Sequence, residues 1–180
     1  MRNATWCAPE VSALGGLRLF RMGATPLDWT AVATLLDGVP LLDPTLFEHA
    51  GRWWLLAARA DAAPDTDLHA WHAPCPLGPW VPHGLNPVVS DVRAARPAGA
   101  VLRHAGALYR PGQDCAAGYG AAVVLHRILR LEPEAYSEVA VRRLEPGADW
   151  PWPDGLHTLN LIPGGLLIDA KRRVLTLRGR

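Results

Sequence analysis

The chain has 180 residues, 49% of them hydrophobic and 19% charged, with a formal net charge of +1. That size and balance suit a globular protein with a buried core, and the near-zero charge gives no electrostatic basis for binding nucleic acid or an acidic membrane. No apolar run reaches the roughly 18 residues that a membrane span needs, and the first residues lack the apolar core of a secretory signal. Cys7, Cys75 and Cys115 are odd in number and far apart, as expected of reduced thiols in a cytoplasmic protein.

Seventeen prolines and seventeen glycines cut the chain into short segments, which excludes long helices and predicts an all-β fold. In chain order, strands are predicted over 16–22, 30–35, 44–49, 52–58, 67–73, 99–103, 106–110, 121–129, 137–144, 157–162 and 165–169. Residues 84–98 read mostly as loop. Asp149-Trp-Pro-Trp-Pro-Asp-Gly155 is also a loop, since its two prolines cannot sit in a ladder. Residues 131–136 are the one stretch able to form a helical turn. The whole of 1–180 reads as a single all-β domain.

The strands repeat. Leu17-Arg-Leu-Phe-Arg, ending at Trp29, recurs as Leu68-His-Ala-Trp-His, ending at Trp80, and more loosely from Val123 to Tyr136. Between these lies Leu46-Phe-Glu-His-Ala-Gly-Arg-Trp-Trp-Leu55, which returns as Val101-Leu-Arg-His-Ala-Gly-Ala-Leu-Tyr-Arg110 and faintly around Gly164-Gly165. Each unit is an apolar run, a tight turn and a second apolar run, the pattern of a β-hairpin. Repetition at a period of roughly 50 residues indicates propeller blades or a similar array. The phase places the start in the second half of one repeat and the end inside another, giving about three blades' worth of chain.

Aromatic residues mark the repeat. Trp29, Trp80 and Tyr136 close successive units and are expected to pack blade against blade. Trp53 and Trp54 are adjacent on a strand and therefore face opposite sides. Trp150 and Trp152 sit in the proline-stiffened loop, where Trp152 is a candidate sugar platform.

Polar residues that interrupt the apolar pattern are the candidates for chemistry. Asp43 precedes Pro44 at a strand entry, and proline biases the residue before it toward an extended conformation; the carboxylate then either points at a propeller axis or caps a turn. Arg96 takes the corresponding place one repeat later. Arg110, Gln113 and Asp114 belong to the densest polar cluster, Arg110-Pro-Gly-Gln-Asp-Cys-Ala-Ala-Gly-Tyr-Gly120, expected to follow an inner hairpin. Glu138 alternates with apolar neighbours, where solvent exposure is the simpler alternative, and His157 opens the last strand pair. His69 and His72 face opposite sides of a strand and cannot share a metal. No Cys-x-x-Cys pair, nucleophile elbow, phosphate-binding loop or metalloprotease helix occurs, so no metal or cofactor is expected.

In order along the chain, Ala8-Pro-Glu10, Asp43-Pro-Thr-Leu-Phe47, Gly51-Arg-Trp-Trp-Leu55, Gly78-Pro-Trp80, Arg96-Pro-Ala-Gly99, Arg110-Pro-Gly-Gln-Asp114, Tyr136-Ser-Glu138 and Gly155-Leu-His-Thr158 resemble the N-terminal domain of glucosamine inositolphosphorylceramide transferases, in its bacterial form. The resemblance implies a five-bladed β-propeller of glycoside-hydrolase type, with inward carboxylates at the blade axis. It implies Asp43, Glu10 and Glu138 as catalytic carboxylates, with Arg96, Arg110, Gln113, Asp114 and His157 binding a carbohydrate. Propeller glycosidases need an acid and a base or nucleophile about 5–10 Å apart. The family pattern begins with an Asp-Pro-Phe strand and a Tyr-Pro strand that this chain lacks, so one to two blades are expected to be missing. The other expectation is a non-catalytic scaffold whose ring is completed by a second copy or a partner chain.

Overall fold

A computed structural model of the chain describes residues 4–174. They form fourteen strands and one short 3₁₀ turn, Ser12–Leu14, in four antiparallel sheets. The first sheet holds β1 (Trp6–Cys7), β2 (Gly16–Met22) and β3 (Trp29–Asp37). The second runs β4 (Leu41–His49), β5 (Arg52–Arg59), β6 (Asp67–Ala73) and β7 (Val81–Pro82), with β8 (Val89–Ser90) also pairing with β6. The third runs β9 (Leu102–His104), β10 (Ala107–Asp114), β11 (Ala122–Glu132) and β12 (Ala135–Leu144), and the fourth is the pair β13 (Leu156–Ile162) and β14 (Gly165–Ala170).

Three separate cores lie between successive sheets. Leu17, Leu19 and Leu35 of the first sheet meet Leu41, Leu55, Ala57 and Trp71 of the second, with Trp80 packed alongside. Leu56, Leu68 and Ala70 cover the other side of the second sheet against Ala95 and Val101. Ala98 and Val123 meet Leu156 and Leu159 of the last pair. The middle strand β5 explains this layout. Its alternate residues Leu55 and Ala57 enter one core and Leu56 the next, so both faces are buried and the strand reads as a nearly unbroken apolar run. Burying one such leucine contributes about 1.5–3 kcal/mol. Sheets stacked face to face, with the second covered on both sides, have the packing of propeller blades.

Inner edges meet along one line. Thr45 of β4 donates its hydroxyl to the Gly99 carbonyl at 3.3 Å. The Leu159 amide of β13 donates to the Ala98 carbonyl at 2.8 Å, and Asn160 accepts from the Ala100 amide at 2.9 Å. Gly99 is needed here: its φ is +123°, and a Cβ would lie 2.3 Å from the Leu159 oxygen. The hairpins β4–β5 and β9–β10 use matching two-residue turns, Ala50-Gly51 and Ala105-Gly106, with positive φ at all four residues.

Three local expectations are corrected. Residues 131–136 contain no helical turn, because β11 and β12 pair up to Glu132 and Ala135 and leave only Pro133-Glu134 to turn the chain. The segment 84–98 is mostly loop, as expected, and holds only the two-residue strand β8. The polar run 110–114 does not follow its hairpin but belongs to β10 itself, paired with β11 through Asp114. Trp29 is exposed on β3 instead of packing between blades, with its indole N–H donated to the Pro26 carbonyl.

Candidate functional site

The inner edges bring together residues from three sheets and four loops. Asp43 is the centre. The register of β4 against β5 passes from Leu42–Ala58 to Thr45–Leu56, so Asp43 and Pro44 oppose the single residue Ala57. This is a β-bulge, a device that re-aims a side chain. Asp43 has φ +49°, the left-handed region, and not the extended conformation that its proline favours. Such strain in a residue other than glycine persists only where the surroundings impose it.

Those surroundings are specific. Arg96 donates from Nε to the Asp43 carboxylate at 2.7 Å and from a terminal nitrogen to Asp65 at 3.1 Å. Gln113 donates to the same Asp43 oxygen at 3.3 Å and to the Pro97 carbonyl at 3.0 Å. Glu10 accepts the backbone N–H of Asp43 at 2.9 Å. Burial opposes the charge on Arg96, but contact with Asp43 outweighs it and raises the guanidinium's pKa. Tyr119 lies under Arg96, with the guanidinium carbon 4.7 Å from its ring centre, a cation–π arrangement. Burial, followed by the nearby Asp43 and Glu10, pushes the Tyr119 phenol up despite Arg96, so the hydroxyl keeps its proton near neutrality.

Tyr119 continues the network outward. Its hydroxyl meets His157 Nε2, and His157 Nδ1 lies 3.0 Å from the Asp169 carboxylate. A carboxylate only accepts, so Nδ1 carries the proton; in the neutral ring, Nε2 then accepts from Tyr119. The result is one chain of contacts: Glu10, Asp43, Arg96, Tyr119, His157, Asp169.

Alternation along β10 divides the predicted polar cluster. Gln113 faces Asp43, whereas Arg110 and Asp114 share the opposite face. Arg110 forms a two-pronged ion pair with Glu138 at 2.9 and 2.5 Å, and the Tyr136 hydroxyl donates to the same carboxylate at 2.5 Å. Glu138 is therefore not a solvent-facing residue. Burial alone would raise its pKa, but Arg110 prevails and holds it below the usual range. Asp114 pairs with Arg143 of β12 and caps the Ala116 amide at 2.9 Å. Trp152 stands at the mouth of a cleft beside Asp169.

Sequence reasoning missed Asp65, Tyr119 and Asp169. The first two lie in equivalent loops, β5–β6 and β10–β11, and the repeat itself was the signal that could have matched them. Asp169 enters only through the β13–β14 register, which pairs it with Thr158 beside His157.

The model of the N-terminal region of glucosamine inositolphosphorylceramide transferase 1 matches residues 1–146. The chain belongs to this family. It is 39% identical over 144 residues to the glucosamine inositolphosphorylceramide transferase 1 of Oryza sativa subsp. japonica, a match covering 77% of this chain and 19% of that protein. The Arabidopsis thaliana protein of the same name is 36% identical over 138 residues, covering 74% and 18%. The chain thus spans about a fifth of the length of these plant relatives. Among solved structures, an exo-β-1,3-galactanase from Clostridium thermocellum matches with TM-score 0.60 at 12% identity, over 77% of this chain and 32% of that one. The Bacteroides ovatus xyloglucan PUL protein GH43B gives 0.55 at 18%, over 85% and 30%. A Xanthomonas citri GH43_1 enzyme complexed with xylotriose gives 0.52 at 15%, over 92% and 62%. These likenesses concern the fold, and they identify the open array of sheets as part of a five-bladed β-propeller.

Proposed function

We propose that the inner-edge cluster binds a sugar, with the Asp43 carboxylate and the Arg96 guanidinium orienting its hydroxyls, Gln113 and Glu10 fixing Asp43, and His157 fixing Tyr119. The observation that carries this reading is Asp43 itself, held in a left-handed bulge on the innermost strand and met by groups from neighbouring blades. Structural neighbours that act on or hold saccharides, a galactanase and a xylotriose complex, support the substrate class. Binding is placed before turnover. A glycosidase acid must keep a proton, usually in an apolar pocket, whereas the Arg110 guanidinium beside buried Glu138 holds that carboxyl below its ordinary range. Arg110, Glu138 and Asp114 belong to the frame in this reading.

Titration calorimetry against neutral and amino sugars tests it. Asp43→Asn keeps the side chain's shape and should lower affinity at least tenfold, about 1.4 kcal/mol. Unchanged affinity removes Asp43 from the site.

A second reading rests on β13–β14. This pair has two strands where the sheet beside it has four, and Leu161, Ile162, Leu166 and Leu167 are exposed on it. An isolated two-stranded sheet is marginal in water. In this reading the chain is a scaffold whose ring is completed by another copy or chain, and light scattering should then give a mass above that of the monomer.

A further inference from the structure

The network around Asp43 does not stop at the inner edge. Asp169, its outermost member, bonds His157 and also lines a second cleft with Trp150, Pro151, Trp152, Ile168 and Ala170. The cleft has a volume of about 520 Å³, within the roughly 300–1,000 Å³ typical of small-molecule sites. Its walls are two indoles and an isoleucine, with one exposed carboxylate at the edge.

The tryptophans are held there by the backbone. The Asp154 amide donates to the Lys171 carbonyl at 3.0 Å, and the Trp150 amide to Gly147 at 3.0 Å, so the loop is fastened to the end of β14. Pro151 and Pro153 further restrict it. Trp150 is nonetheless 41% and Trp152 55% exposed. Flat aromatic faces in a braced loop beside a lone carboxylate suit a ligand with an apolar face and a hydroxyl rim. A pyranose ring has both: its C–H face stacks on an indole, and its hydroxyls donate to a carboxylate. Lys171 ties the two regions together a second time, since its ammonium donates to the Tyr119 carbonyl.

We infer that the Trp150–Trp152 cleft is an outer sugar subsite, continuous through Asp169, His157 and Tyr119 with the site at Asp43, so that the ligand is an oligosaccharide of at least two residues. This rests on the sugar-binding reading of the inner site. It commits the cleft to a later ring of a saccharide whose first ring lies at Asp43.

The test compares saccharide lengths on the intact chain, using xylose with xylotriose and galactose with β-1,3-galactotriose, alongside matched mono- and trisaccharides of glucose and glucosamine. Trp152→Ala should weaken the bound trisaccharide at least tenfold and leave its monosaccharide within twofold, whereas Asp43→Asn should weaken both. Asp169→Asn should reduce the trisaccharide advantage and also move the NMR signals of the His157 ring, whose Nδ1 it contacts, which a loss of stacking alone does not do. Equal loss of both lengths in Trp152→Ala, or no loss of either, overturns the outer subsite and leaves the inner one standing. Unchanged binding in Asp43→Asn, or no binding to any saccharide by the wild-type chain, overturns the inner site and the outer one with it. If Trp152→Ala changes only the mass in light scattering, the cleft seats protein and the inference fails.

Discussion

Replacing Glu138 by glutamine should destabilise the fold without touching ligand binding. The Arg110 and Glu138 side chains are 1% and 8% exposed and share two charge-assisted bonds, and Glu138 accepts a third from Tyr136. A glutamine can still accept one bond, but it leaves a buried guanidinium without its counter-charge. One terminal nitrogen of Arg110 already lacks a partner among the described residues, so there is no spare acceptor to absorb the loss. Breaking a buried pair on one side costs about 3–5 kcal/mol, and the retained bond puts Glu138→Gln near 3. With an m-value of roughly 2–3 kcal/mol/M, the urea midpoint should fall by about 1–1.5 M. Removing both charges, as in Arg110→Met with Glu138→Leu, should recover most of that loss. The pH dependence has a definite sign. Glu138 has a folded pKa below its ordinary value of 4.5, so its contribution is complete above that value and is lost as pH falls through the folded pKa. The gap between wild type and Glu138→Gln should therefore close on acidification. A midpoint change worth under about 0.5 kcal/mol, or loss of sugar affinity in a variant of unchanged stability, would refute the assignment of this pair to the frame.

Three further outcomes follow from the backbone and the cysteines. Gly99→Ala sets a Cβ 2.3 Å from the Leu159 carbonyl oxygen and should cost about 2–4 kcal/mol in chemical denaturation; an unaffected midpoint would mean β13 is not held against residue 99. Ala50→Asn places a residue suited to φ +51° in the first hairpin turn and should stabilise by up to about 1 kcal/mol, with destabilisation counting against the turn type. Burial pushes the Cys115 thiol up, while Cys7 and Cys75 are partly exposed, so iodoacetamide at mildly alkaline pH should label Cys115 last by mass spectrometry.

The blades were legible because their signals are local. Alternating apolar runs, His-Ala-Gly turns and the two-sided burial of Arg52–Arg59 all act within a hairpin, and each repeats. The site was legible in part. Glu10, Asp43, Arg96, Gln113 and His157 sit where the inner edges converge, directly or through Tyr119. Arg110 and Asp114 part from Gln113 because the cluster expected after the hairpin continues the strand through residue 114, where period-two alternation separates them. The left-handed Asp43 contradicts the preference that Pro44 imposes, so no local rule could find it. Asp65 and Tyr119 come from loops of different blades and meet only through Arg96.

Two arginine–carboxylate pairs of the same chemistry therefore do different work. Arg110 and Glu138 lie within one sheet, need no unusual backbone and leave almost nothing exposed. Arg96 and Asp43 join two blades, remain 11% and 20% exposed, and require a strained residue. Ala50 and Ala105 share that conformation, but in hairpin turns that require it. Asp43 adopts it at a bulge within a strand, where it costs about 1–3 kcal/mol and accompanies the ion pair to Arg96. Comparing Asp43→Gly with Asp43→Ala isolates the term, since both remove the ion pair and only alanine keeps the conflict between a Cβ and φ +49°. The glycine variant should be the more stable by about 1 kcal/mol, against the usual order in a strand, and neither should bind sugar. If alanine proves equal or better, Asp43 is not strained in solution, and the argument that its conformation is held for a ligand loses its ground.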